Sequence, residues 1–369
     1  MLATIAKNFC RRGASHITRN TARISRNIKI EEKHNSFLSV FPELTQAITE
    51  AGESMDVPEI VPHVSELLKY NVLKEKRFRP SILLDTYKTL EEPQNLTEEN
   101  LHLANVLAWC IELIQTAHFI NDDIMDESKL RGNQACWYQK ENVGLNAIND
   151  SILVYESSYI LLEKYFSNRN IWILLQNVFR YIYSRGAIGQ YLDWTCNVNR
   201  KPNFGIFTKE TYNKIIRNKG CIPFVDGPFK ASLILSNNYN KKAMDQVNQI
   251  VLKIGDYFQI DNDVLDIFDD GRIRDPVGSD IREGKCSWLA VQVMESGNKE
   301  LIDIFSNNYG QNGIEHEKRI INVYMQMELF NKHLKCKKQT LNYLKQKIGQ
   351  MTESSLKQAV TNLMDNVCI

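Results

Sequence analysis

The stretch HFINDDIMDES, His118 to Ser128, decides how this chain is read. On a helix, Asp122 and Asp126 stand four residues apart and Asp123 and Asp126 three apart, so the three carboxylates share one side. Carboxylates that close repel one another unless cations are shared between them. Oxygen ligands suit magnesium, which commonly binds through a few carboxylates together with substrate phosphates. A second acidic run, DNDVLDIFDD from Asp261 to Asp270, offers Asn262, Asp263 and Asp266 at the same offsets. Asn262 keeps an amide oxygen but lacks the charge. Two such runs predict a trinuclear magnesium (Mg2+) site that ionises a diphosphate ester. A solvated acidic helix face accounts for Asp269 and Asp270, but poorly for a cluster that follows an apolar segment.

A diphosphate also needs cations. Arg131 follows the first cluster, Lys219 precedes a Gly220–Pro223 break, and Lys285 lies beyond the second cluster. Each is a candidate donor of charge-assisted hydrogen bonds to the leaving group.

Working outward, strand signals are weak and long stretches without Gly or Pro dominate: 96–131, 150–185, 229–254 and 314–348. In the first, Leu103, Val106, Leu107, Cys110, Leu113, Ile114 and Ala117 recur at helical spacing, and Asn95 or Thr97 is placed to cap its start. Helices this long need burial against neighbours. The expected fold is therefore all-α, a single-domain helical bundle with a central diphosphate and metal cavity.

The 369 residues suffice for one large domain, and a net charge of +1 argues against general nucleic-acid binding. Eight cysteines without a CxxC pair read as reduced thiols. The apolar runs are interrupted before membrane-spanning length, so no transmembrane segment is expected. Residues 1–30 carry Lys7, Arg11, Arg12, Arg19, Arg23, Arg26 and Lys29 and no acid. They read as a mitochondrial transit peptide with a matrix address, ahead of a catalytic domain over 36–369. If that segment is a mere basic tail, the address is cytoplasmic.

Five pieces then carry a resemblance: YNVLKEKRFR from Tyr70, NDDIMDES followed by QACWY, GQYLD from Gly189, YFQIDNDVLDIFDD from Tyr257, and GSDIREGKCSW ending at Trp288. From about Phe37 to Ala359 the chain resembles the isoprenyl diphosphate synthases, the farnesyl-producing branch in particular. The resemblance implies an all-helical homodimer that ionises an allylic prenyl diphosphate between two Asp-rich helices. It assigns metal binding to Asp122, Asp123, Asp126, Asn262, Asp263 and Asp266. It assigns diphosphate binding to Lys76, Arg79, Arg131, Lys219, Gln259 and Lys285. Catalysis would rest on Asp122, Asp126, Arg131, Lys219, Asp263 and Lys285.

Departures from the family pattern shape the functional expectation. The family's Gly-Gly-Lys-x-x-Arg keeps Lys76 and Arg79 but loses both glycines to Lys74 and Glu75. Its Arg-Arg-Gly becomes Arg131, Gly132 and Asn133, its Gln-Thr pair Arg185 and Gly186, and its Lys-Thr pair Lys219 and Gly220. Pro276 stands where a lysine is expected, and the basic C-terminal tail is absent. The allylic side survives while the isopentenyl side loses charge. That asymmetry looks like a terpene synthase derived from the family, an arrangement found among insect enzymes. Such a lyase would convert farnesyl diphosphate to a sesquiterpene hydrocarbon or alcohol. Phe119, Phe258 and Trp137 are candidate aromatic walls for the cation, against an ordinary role in the core. Where short-chain members carry bulky aromatics before the first Asp, this chain has Ala117, which opens the prenyl channel, and His118, read as a satisfied core histidine. The alternatives are a short-chain synthase condensing isopentenyl with an allylic diphosphate, and a non-catalytic subunit.

Overall fold

The computed structural model describes residues 36–54, 56–73, 78–132, 134–199, 201–268 and 278–368. Helices α1 (Phe41–Ser54), α2 (Ile60–Val72), α3 (Phe78–Leu90), α4 (Glu98–Met125), α5 (Ala147–Phe166) and α6 (Trp172–Cys196) build the first part. Next come α7 (Lys209–Ile215), a π-helical segment (Ile216–Asp226), α8 (Gly227–Leu235) and α9 (Lys241–Ile267). Shorter helices α10 (Ser279–Glu283), α11 (Trp288–Met294), α12 (Lys299–Ser306) and α13 (Ile314–Gln326) lead into α14 (Leu329–Gly349) and α15 (Ser354–Cys368). Strands among the described residues are confined to two short antiparallel hairpins, β1 (Leu130–Arg131) with β2 (Gln134–Ala135), and β3 (Asn197–Val198) with β4 (Lys201–Pro202). The chain is an all-α bundle, as the helical periodicity requires.

Helix α4 is its axis. Thr97 caps it, its hydroxyl accepting the Asn100 amide at 3.2 Å. The spacing over 103–117 becomes nearly all-round burial against α1, α2, α5 and α6. By length and composition α4 is apolar enough to cross a membrane, yet most of that window is buried inside the bundle, which is the ordinary state of a core helix. A second core joins α7, α11, α12 and α13, and a third packs α3, α8 and α9 against α14 and α15.

Three uninterrupted stretches of sequence are each two helices. The breaks fall at the polar segments 167–171 and 236–240 and at Met327–Glu328, where Asn237 and Glu328 take positive φ (55° and 52°). Conversely, the break expected at Gly220–Pro223 is helical. It forms a π-helical turn that includes Pro223 and continues into α8. The wider turn lies tightly on α6: a Cβ on Gly189 would come within 2.2 Å of the Lys219 backbone nitrogen. Lys76, Asp269, Asp270, Asn133, Pro276 and the basic segment 1–30 lie outside the described residues.

Candidate functional site

Both acidic runs sit at helix C-termini. Asp126 is the C-cap of α4, and Asp261, Asn262, Asp263 and Asp266 occupy the last two turns of α9. The negative end of a helix disfavours carboxylates by about 0.3–1 kcal/mol each at exposed positions. Anions gathered there are locally unfavourable, which marks positions kept for binding.

Cations offset them. Arg131 donates from Nε to Asp123 Oδ1 at 2.7 Å and from a terminal nitrogen to Asp122 Oδ2 at 2.8 Å. Lys219 lies 2.9 Å from Asp122 Oδ1 and 2.5 Å from Asp193 Oδ2. Lys285 donates to Asp126 Oδ2 at 2.6 Å and to the same Asp193 oxygen at 3.1 Å. Burial pushes Asp122 up, but Lys219, Arg131 and Lys285 together outweigh it and hold this carboxyl below its ordinary range. Burial, reinforced by Asp122, raises Asp126 to about 6 despite Lys285.

On the facing helix, Asp263 is buried and heavily bonded. Its Oδ2 accepts the Tyr212 hydroxyl at 2.7 Å and the Trp288 amide at 2.8 Å, and its Oδ1 accepts Gln259 Nε2 at 2.9 Å. Burial lifts its pKa to about 6. Asp266 accepts from the Ser279 hydroxyl at 3.2 Å and the Asp280 amide at 3.3 Å.

Between the two helices lies a cavity of about 550 Å³. Asp122, Lys219, Gln259, Asp263 and Lys285 line it, along with Phe119 and His118. These five predicted residues therefore meet in one place. Asp126 reaches it through Lys285, whereas Asp123 and Arg131 pair behind Asp122. Arg79 is nearly inaccessible at 4% exposure and forms a bidentate pair with Glu112 at 2.6 and 3.0 Å.

Among the described residues no three acidic, histidine or cysteine side chains converge into a ready metal cage. That fits magnesium, which keeps part of its shell for water and substrate phosphate. Asp122 and Asp263, hard oxygen donors on opposite helices, line the same cavity. The donor set therefore fits a magnesium diphosphate better than a free ion.

Several residues of the site escape the sequence reading. Asp193 receives both lysines; only its place in GQYLD sets it apart. Tyr212 and the Trp288 amide secure Asp263 from elements far along the chain. Gln115 lines the cavity with a buried Oε1 that has no hydrogen-bond partner, the mark of a group awaiting a ligand. It stands seven residues before Asp122, two helical turns along the same face, a spacing that could have identified it.

The aromatic assignments divide. Phe119 lines the cavity, Phe258 stacks on Phe78 at 4.6 Å, and Trp137 is buried with its indole donating to Asp150 at 2.7 Å. Ala117 is buried in the core, and His118 is no satisfied core histidine. It lines the cavity, stacks on Tyr183 at 4.8 Å, and its Nε2 has no hydrogen-bond partner.

The polyprenyl synthetase family profile matches residues 61–327. The chain is 31% identical over 316 residues to farnesyl pyrophosphate synthase of Bos taurus, covering 85% of this chain and 89% of the relative. It is 33% identical over 298 residues to that of Gallus gallus, covering 80% and 81%. The crystal structure of T. brucei farnesyl diphosphate synthase superposes with a TM-score of 0.84 at 25% identity, covering 91% of this chain and 99% of the other. These relatives overturn the expectation of a carbon–oxygen lyase that makes sesquiterpenes. Over most of its length the chain is alike to diphosphate synthases. Arg131 and Arg79, both kept from the family pattern, approach the same Phe119 ring at 4.5 and 5.4 Å. Matched over most of its sequence by one profile and over nearly all of its fold by a solved synthase, the chain belongs to the polyprenyl synthetase family.

Proposed function

We propose that this protein is a magnesium-dependent short-chain prenyltransferase that condenses isopentenyl diphosphate with an allylic diphosphate, giving a farnesyl-type product. The observation that carries this reading is the meeting of Asp122 and Asp263, from two acidic helix ends, with Lys219 and Lys285 at one cavity, and of two arginines on one wall. Similarity to farnesyl pyrophosphate synthases supports it.

Asp122, Asp126 and Asp263 would hold magnesium, three ions with the bound diphosphate, with Asp123, Asn262 and Asp266 in support. Bound there, magnesium supplies the positive charge that lets the allylic diphosphate depart. Lys219 and Lys285 exchange contacts with Asp193 for contacts with diphosphate oxygens. Arg131 orients Asp122 from behind. Preorganised cations of this kind act where charge develops, without reorganising at the moment of reaction.

The second diphosphate is assigned to the Phe119 wall. Arg79 lies 4.7 Å from the Phe224 ring and 5.4 Å from the Phe119 ring, and Gln115 and Gln259 face the cavity beside them. Lys76, outside the described residues, is proposed as a further ligand of that diphosphate. The apolar rings exclude water from the carbocation and hold the reacting carbons in contact.

We further propose a homodimer. Ile148, Ile152, Ile188, Tyr191 and Trp194 are all exposed on α5 and α6, and three of them continue into the cavity lining. An apolar face of this kind is what a second copy covers. The basic segment 1–30 supports import into the mitochondrial matrix, tested by fusing it to a reporter.

The deciding experiment supplies magnesium, dimethylallyl diphosphate and labelled isopentenyl diphosphate, followed by phosphatase treatment and chromatography. Label in geraniol and farnesol is the expected result. Absence of label in any prenyl alcohol overturns the proposal.

A further inference from the structure

Positive charge gathers on helix α14. Over its 21 residues it carries Lys332, Lys335, Lys337, Lys338, Lys345 and Lys347 and no acid. The net charge of the whole chain is only +1, so the protein without α14 is net negative. The lysines are concentrated on one element and are not part of an evenly mixed surface.

The opposite face of α14 fixes how the helix sits. Leu344 and Ile348 are buried in the third core, and His333 meets the Tyr257 hydroxyl of α9 at 3.1 Å. Lys332, Lys335, Lys338 and Lys345 recur at intervals of three and seven residues, which places them together on the side turned away from that core. All four are exposed. Leu334 and Tyr343 flank the row at 48% and 37% exposure.

The row lacks counter-charge. Elsewhere Lys140, Lys164, Lys214, Lys242 and Lys318 each pair with a glutamate. None of the six lysines of α14 forms an ion pair with any described residue. Lys347 only approaches the Tyr343 ring of its own helix, at 5.8 Å. Like charges three residues apart on a helix destabilise it, so Lys332, Lys335 and Lys338 carry a repulsion that an outside anion relieves.

The composition of the face selects that anion. Every basic residue on α14 is lysine. Arginine's planar fork suits bidentate recognition of single phosphates and nucleic acids, whereas lysine is a hydrated point charge on a flexible stem. A row of such charges beside an exposed leucine and tyrosine fits a diffuse anionic layer with an apolar layer beneath it. The net-negative remainder of the protein opposes a nucleic acid that would wrap further round it.

We propose that the exposed lysine row of α14 docks this protein on the surface of an anionic lipid bilayer, with Leu334 and Tyr343 at the headgroup boundary. The apolar face of α14 stays in the core, so the contact is peripheral and the helix does not insert. This inference does not rest on the proposed condensation, because binding is read without turnover.

Full-length protein is sedimented with vesicles of phosphatidylcholine alone, and of phosphatidylcholine with about a third phosphatidylserine. The expected result is binding to the anionic vesicles about tenfold tighter or more. It should be lost as salt rises from about 0.1 to 1 M and the Debye length shortens from about 10 to 3 Å. Lys335→Glu, Lys338→Glu and Lys345→Glu combined should weaken anionic binding by about tenfold or more, with circular dichroism and turnover unchanged. Wild-type protein that does not prefer anionic vesicles overturns the proposal without any variant. The triple variant leaves the basic segment 1–30 intact, so binding equal to wild type would assign the contact away from α14 and overturn it as well. Duplex RNA that binds more tightly than the vesicles, and is lost in the same variant, would overturn the choice of a bilayer.

Discussion

The Lys285 ammonium lies 2.6 Å from Asp126 Oδ2, joining the C-terminal end of α4 to the turn that follows α10. The same lysine reaches Asp193 at 3.1 Å. It neutralises a carboxylate that burial and Asp122 would otherwise raise further above about 6. Lys285→Met keeps the length and removes the charge. Turnover should fall on the order of a hundredfold. Stability should fall by about 3 kcal/mol, because Asp126 loses its cation and Asp193 keeps only Lys219. Steady-state kinetics and urea denaturation check both; unchanged turnover would remove Lys285 from the machinery.

Gly186 lies directly beneath the His118 ring. A Cβ there would stand 2.5 Å from Nε2, so Gly186→Ala must drive the imidazole or the helix aside. His118 lines the cavity, and its displacement narrows the prenyl channel. Gly186→Ala should shift product from farnesyl towards geranyl length, and His118→Ala in the same chain should restore the longer product. Product chromatography reads the ratio. An unaltered distribution in both variants would place the channel floor elsewhere.

Burial, countered in part by Asp122, lowers His118 from 6.5 to about 4. The sign follows from proton counts. Between those values the unfolded chain binds a proton that the folded chain refuses, so this residue costs stability as pH falls from 6.5 towards 4. The loss approaches about 3 kcal/mol at pH 4, from about 1.4 kcal/mol per unit. His118→Phe should flatten the stability profile in that window relative to wild type. Parallel profiles in denaturant titrations at several pH values would contradict the lowered value.

Tyr212 gives Asp263 one of its three hydrogen bonds. Losing a bond to a charged acceptor costs about 1.5–3 kcal/mol. Tyr212→Phe should raise the magnesium concentration for half-maximal activity about tenfold or more, with a smaller effect at saturating metal. A magnesium titration identical to wild type would show that Asp263 is held well enough by Trp288 and Gln259.

Arg79 and Glu112 form an inaccessible pair at 2.6 Å. Glu112→Gln leaves the guanidinium buried without its counter-charge, which should destabilise by about 3–5 kcal/mol. Because Arg79 packs on the Phe119 and Phe224 rings of the assigned isopentenyl wall, KM for isopentenyl diphosphate should change while that for the allylic substrate stays near wild type. Equal effects on both substrates would argue that Arg79 serves the fold alone.

Much of this protein is written locally. Apolar residues at helical spacing over 103–117, Thr97 at the start and acids at offsets of three and four state α4 and its acidic end, because a helix repeats over a few residues. The second acidic run on α9 is legible for the same reason. Helix breaks at 167–171 and 236–240 were harder to see, since polar residues without Gly or Pro end helices only when packing permits. What tertiary structure alone decided is which groups meet. Asp193 shares its oxygen between two lysines, Tyr212 and the Trp288 amide anchor Asp263, and His118 turns to the cavity. A lone aspartate, tyrosine or histidine has no period to announce it. Its role follows from the faces that α4, α6 and α9 bury against one another, and only the folded chain sets those distances.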